Sequence, residues 1–207
     1  MKIQIVFIFL MFLISCQVKS PNTKVKNEIN EINGIKTDAE QLLNLFQSTK
    51  DTTYLIHAES QVDSLINIGI NDLKLYQVKG NILRKRKRYE EFAKFMKEST
   101  QHFPNNPQTY FGAGVAFDQI KDVESSKEMY KKSIKVYDEL IQKYPTVENH
   151  INRIIAICFL YGKQAGLQEF EKIAQSGKIK QASIDAYKGI IVDFDKDKFQ
   201  NAIFNNP

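Results

Sequence analysis

The sequence predicts an all-α fold: about four stacked helix pairs ending in a capping helix. Three observations predict it. In successive segments apolar residues recur at i, i+3, i+4 and i+7, which places them on one face of a helix. Landmark residues return after 34 positions, the mark of a repeated supersecondary unit. The period-two alternation of a strand is absent over any useful length.

The elements follow in chain order. The chain opens with Lys2 and the apolar run "IQIVFIFLMFLI", Ile3 to Ile14. A membrane-spanning helix needs roughly 20 apolar residues, so this run is too short. A charged start, a short apolar core and a small residue at its exit describe a secretory signal. The exit, "LISC", Leu13 to Cys16, resembles the bacterial lipobox. That resemblance implies a signal peptide over residues 1–15, cleavage before Cys16, a diacylglyceryl group on the Cys16 sulfur and an acyl chain such as palmitate on the new amino group. One acyl chain holds a protein only marginally, whereas two or more hold it stably. The alternative is an ordinary cleaved signal with a chance cysteine. By the same resemblance, Gln17 rather than Asp after Cys16 favours the outer membrane, with the protein facing the periplasm of a bacterial envelope. Residues 16–37, rich in Lys, Asn and Glu with Pro21 and Gly34, read as a flexible tether. The folded domain is then expected over 38–207.

Loss of 15 residues leaves 192 of 207, enough for one domain with a sizeable core. Hydrophobic content of 43% and charged content of 26% are those of an ordinary globular chain. Net charge is +5, or +4 without Lys2. That mild basicity favours an acidic partner or anionic head groups and falls short of a nucleic-acid signature. The second cysteine, Cys158, sits in "RIIAICFLYG". With Cys16 lipidated it has no partner and reads as a buried free thiol.

The period of 34 is carried by Tyr76, Gly80 and Leu83, matched by Tyr110, Gly114 and Phe117. The following helices match too: Phe92, Met96 and Ser99 against Ser126, Tyr130 and Ser133. The stretch "YFGAGVAFDQIKDVESSKEMYKKS" resembles the tetratricopeptide repeat, a helix–turn–helix unit. Tyr110 takes its Trp position, Ala113-Gly114 its Leu-Gly pair, Phe117 its Tyr position, and Ser126 and Tyr130 its small and aromatic positions. Phe92 departs from the usual Ala, implying a looser or differently packed crossing. Stepping back 34 residues gives Leu42, Ala58 and Val62, so a first repeat is expected over Ala39–Asp72. Forward, the register slips. The second helix of the third repeat runs on to Pro145. Ile151, Ile154, Ile155 and Cys158, then Leu167, Phe170, Ile173 and Ala174, form a degenerate fourth pair. The tail predicts a helix over Ala182–Val192 and a short terminal helix that covers the exposed end of the stack. Gly80 and Gly114 each cost roughly 1 kcal/mol of helix stability relative to Ala, and their recurrence points to close helix crossings. The resemblance implies a right-handed solenoid.

By the same resemblance, a protein or peptide partner is bound on the inner face of the first helix of each pair. In this chain those positions are Gln77, Asn81, Arg84 and Lys85, then Phe111, Val115, Asp118 and Gln119, with Asn152, Ala156 and Phe159 as counterparts on the fourth pair. Amides, an aromatic and cations there suit an extended peptide or a partner's helix. The run "RKRKR", Arg84 to Arg88, reads either as a patch for an acidic partner or anionic lipid or as a solvated turn. A nucleic-acid role conflicts with the secretion signal.

Candidate chemistry is sparse. His57, His102 and His150 lack metal-ligand spacing. "DFDKDK", Asp193 to Lys198, imitates half a calcium loop but has Phe204 where the closing acid belongs. No nucleophile motif or phosphate-binding loop occurs. No cofactor, metal or catalysis is expected. The sequence thus reads as a lipid-anchored repeat protein that binds a protein partner in the envelope, in assembly or as a scaffold. An immunity-type inhibitor of a toxin and an envelope hydrolase are the alternatives.

Overall fold

The computed structural model describes residues 23–177 and 181–205. The expected signal peptide and Cys16 lie outside the described residues. Ten helices occur among them, eight in four consecutive pairs: α1 (Thr23–Thr49) with α2 (Thr53–Asn67), α3 (Leu73–Lys85) with α4 (Tyr89–His102), α5 (Pro107–Gln119) with α6 (Val123–Lys143), and α7 (Val147–Tyr161) with α8 (Lys163–Gln175); α9 (Gln181–Val192) and α10 (Lys196–Asn205) follow. The described residues contain no strand. From α1 to α9 each helix packs on the next, and α1 also meets α3 while α7 meets α9. First helices therefore line one face of the stack, as in a tetratricopeptide-like α-solenoid.

Local chemistry sets the helix starts. Asp72, Asn106, Asp122 and Thr146 each accept a hydrogen bond from a backbone N–H in the first turn of α3, α5, α6 and α7, satisfying a donor that the helix leaves orphaned. Pro107 occupies the first turn of α5, where its missing N–H costs nothing. α6 is the overlong helix that the sequence predicts, 21 residues ending at Lys143, two before Pro145.

The tether is corrected in part. Residues 23–37 belong to α1 rather than to an irregular linker. Val25, Ile29, Ile32 and Ile35 recur every three or four residues, and that periodicity outweighs the polar composition and Gly34.

Glycines set the crossings. A Cβ on Gly80 would stand 3.2 Å from Met96 Sδ and 3.3 Å from the Phe92 ring. On Gly114 it would meet the Tyr130 ring at 2.5 Å, and on Gly166 the Cys158 sulfur at 2.0 Å. Gly166 makes at α7–α8 the close approach that Gly80 and Gly114 make earlier. Phe92 fills its crossing with a ring against Gly80, the different packing that the departure from Ala implies. Cys158 is buried and free, and burial pushes its thiol up to about 11.

The apolar interior falls into two clusters. One joins α1, α2 and part of α3 through aliphatics such as Ala39, Leu55, Val62, Leu75 and Ile82. The other runs from Leu83 to Phe204 and is rich in rings, including Phe92, Phe117, Tyr130, Phe159 and Phe194.

Candidate binding groove

Two of the five cations of the basic run are spent on a buried carboxylate. Glu59 on α2 is buried. Its carboxylate accepts Lys79 Nζ at 2.7 Å, Arg88 Nη1 at 2.7 Å and Arg86 Nη1. Lys79 also pairs with Asp63 at 2.7 Å. Burial alone would raise the Glu59 carboxyl, but the Lys79 and Arg86 bonds, with the charges of Lys79 and Arg88, outweigh it and hold it below the ordinary carboxylate value. Arg86 and Arg88 are thus structural cations of the α2–α3–α4 junction, neither patch nor solvated turn. Lys87, exposed at φ 57°, makes the left-handed turn between α3 and α4.

Arg84 and Lys85 behave differently. Together with Asn81 they face Asn44 and Gln47 of α1 across a cavity of about 320 Å³ whose apolar wall is Leu43 and Val78. Glu40, also in the lining, is paired with Lys74 at 2.8 Å. Neither cation has a carboxylate partner among the described residues. Lys85 Nζ lies 5.5 Å from the Phe46 ring centre. Burial lowers the Arg84 guanidinium, with Tyr89 partly opposing. Burial and then the charges of Arg84 and Lys50 lower the Lys85 ammonium. Two adjacent, half-desolvated cations gain from an incoming anion. Gln77, on the same helix, is half-buried and stands outside the residues lining this cavity.

The third and fourth pairs present a covered face. Asp118, at the end of α5, is the centre. Its carboxylate accepts Ser126 Oγ at 2.7 Å, the Tyr130 hydroxyl at 2.6 Å and Gln200 Nε2 at 3.1 Å, and pairs with Lys196 at 2.7 Å. Burial first, then the Asp118 charge, pushes the Tyr130 hydroxyl well up, so it remains a donor. Lys196 Nζ also stands 5.5 Å from the Tyr130 ring centre and 5.6 Å from that of Phe159. Phe111 packs on Tyr130 at 5.7 Å and on Phe159 at 5.1 Å.

The covering element is α10. Phe199 meets Phe159 edge-on at 5.2 Å, and Phe204 meets Tyr89 at 5.5 Å and Phe92 at 6.2 Å. The terminal helix therefore lies across α4, α5, α6 and α7 rather than only capping the end of the stack. Val115 is 3% exposed and belongs to the core, so it is no surface contact. Ala156 and Phe159 are buried as well, Phe159 among rings partly supplied by α10. Gln119 and Asn152 are half-buried.

Of the expected groove residues, Asn81, Arg84 and Lys85 come together at an open cavity. Phe111 and Asp118 come together at a second place, under α10. The sequence reading missed Glu59, Lys79 and the α10 residues Lys196, Phe199 and Gln200. An amphipathic signal exists in "KDKFQNAIF", but its docking surface is assembled from four distant helices. The three histidines stay apart on α2, α4 and α7, and no group of His, Cys, Asp or Glu among the described residues could hold a metal. The half-calcium motif is a helix start, where Asp195 accepts the Lys198 N–H at 2.9 Å. No described helix is long and apolar enough to cross a membrane.

No curated protein matches the chain. Residues 107–139, covering α5 and most of α6, match the tetratricopeptide repeat family model, a repeat of protein-interaction scaffolds.

Proposed function

We propose that this protein is a lipid-anchored scaffold of the bacterial envelope that captures a protein or peptide partner on the α1–α3 side of its first-helix face. It acts by binding, without catalysis. The observation that carries the reading is the separation within one basic run. Arg86 and Arg88 are consumed by Glu59, while Arg84 and Lys85 stand beside an open cavity among amides. Amides suit a partner's main chain and the cations its carboxylates.

The lipid on Cys16, at the outer membrane and toward the periplasm, supplies the second half of the mechanism. Anchoring confines the groove to the membrane surface, so an envelope partner meets it at raised effective concentration. An assembly or scaffold role follows from capture without turnover. Crosslinking in living cells followed by mass spectrometry tests this. Arg84→Glu/Lys85→Glu is expected to lose partners that the unaltered protein recovers, and an unchanged set refutes the groove assignment. Cys16→Ser is expected to leave the membrane fraction; continued fractionation with membranes refutes the anchor.

A further inference from the structure

Lys196 fills a site that the rest of the chain builds without it. Its ammonium sits against the Asp118 carboxylate, over the Tyr130 and Phe159 rings, and 3.4 Å from the Phe159 carbonyl oxygen. A carboxylate beside two aromatic faces is a receptor for a cation. Asp118 is held in place from within the stack by Ser126 and Tyr130, and Phe111 packs against both rings. The box is therefore preorganised when α10 is away.

Its occupant is lightly attached. α10 spans ten residues, shorter than an isolated helix needs to be stable. It docks by long side chains, without the close backbone approach that joins α1 through α9. Lys196, Phe199 and Gln200 remain partly exposed. Such an element belongs to the low-stability end of a structure.

We infer that Asp118, Tyr130 and Phe159 form a lysine-recognition pocket for a partner's amphipathic helix, that α10 is its resident ligand, and that a partner carrying Lys followed three residues later by an aromatic enters by displacing α10. The pattern is read from Lys196 and Phe199, with Phe204 as the far anchor against Tyr89 and Phe92. The inference rests on the reading of this face as a protein-binding surface and adds to it a second pocket of opposite charge preference to that of Arg84 and Lys85.

The test uses the chain's own segment as probe. The full-length protein carrying Lys196→Glu/Phe199→Ala is titrated with a fluorescent peptide of residues 193–205, read by anisotropy. The peptide is expected to bind this variant at least tenfold more tightly than the unaltered protein, whose pocket is filled. The same peptide with Lys196→Glu is expected not to bind. A cooperatively melting variant that ignores the peptide, or that binds both peptides alike, overturns the inference. Should the variant not fold, hydrogen exchange on the unaltered protein decides. Faster exchange of α10 than of α5 and α7 supports displacement, and equal protection overturns it. A concentration-dependent dimer dissolved by the peptide gives the pocket to a second copy and overturns the partner reading. None of these results depends on whether Arg84→Glu/Lys85→Glu changes the partners crosslinked in cells, so either proposal can fail without the other.

Discussion

The two halves of the stack solve the same problem with different chemistry. Between α2 and α3 the junction is aliphatic with a buried ion network, Glu59 against Lys79, Arg86 and Arg88. From α4 onward it is a chain of rings, with Phe159 touching Phe111, Tyr130, Phe194 and Phe199. The first solution leaves two further cations without a carboxylate among the described residues and a cavity open. The second draws the terminal helix onto the groove, because exposed rings and a carboxylate offer it apolar area and an ion pair at once. What fills a groove is thus decided by which residues the core has already used.

The largest expected effects break each half separately. Glu59→Ala leaves Arg86 without a carboxylate, while Lys79 keeps Asp63 and Arg88 keeps Glu91, and should cost about 1–3 kcal/mol. Phe159→Ala should cost about 3–5 kcal/mol by removing a buried ring. Urea denaturation measures both, and a loss under about 1 kcal/mol in either removes that half of the comparison. Acid sharpens it. Because the native Glu59 carboxyl lies below its ordinary 4.5, its contribution is complete above that value and is lost as pH falls through the native value. The stability gap between the unaltered protein and Glu59→Ala should therefore close in acid, whereas the Phe159→Ala gap should stay constant.

Smaller effects come from the glycines. Gly114→Ala places a methyl 2.5 Å from the Tyr130 ring and should cost about 1–3 kcal/mol through overpacking. Gly34→Ala, in α1 with nothing within 4 Å, should instead stabilise by up to about 1 kcal/mol. A thermal melt in which both shift the same way would refute the assignment of close crossings. Smallest is Lys121→Gly. Lys121 is exposed at φ 62°, a conformation that glycine adopts without strain, and its replacement should raise the melting temperature by a few degrees or less.

The repeat was legible because it is local. Tyr76, Gly80 and Leu83 recur as Tyr110, Gly114 and Phe117, and helix periodicity needs only neighbours within a turn or two. Asp72 and Asn106, which cap α3 and α5, stand at that same interval. Pro145 and Gly162 mark the ends of α6 and α7 for the same reason. Composition misled where it overrode that periodicity, in Thr23 to Thr37.

The sites were legible only in part. Sequence alone determined that the described residues are helical, where the pairs from α3 to α8 lie, and that Arg84, Lys85, Phe111 and Asp118 lie on first helices. Tertiary structure alone decided their fates. It joined Glu59 to Arg86 and Arg88 and left Arg84 and Lys85 beside a cavity. It carried Lys196 to Asp118, 78 residues earlier in the chain. Helix formation depends on hydrogen bonds four residues apart, so a sequence displays it directly. Pairing of charges and rings depends on which surfaces the stack brings within a few ångströms, and no spacing along the chain encodes that distance.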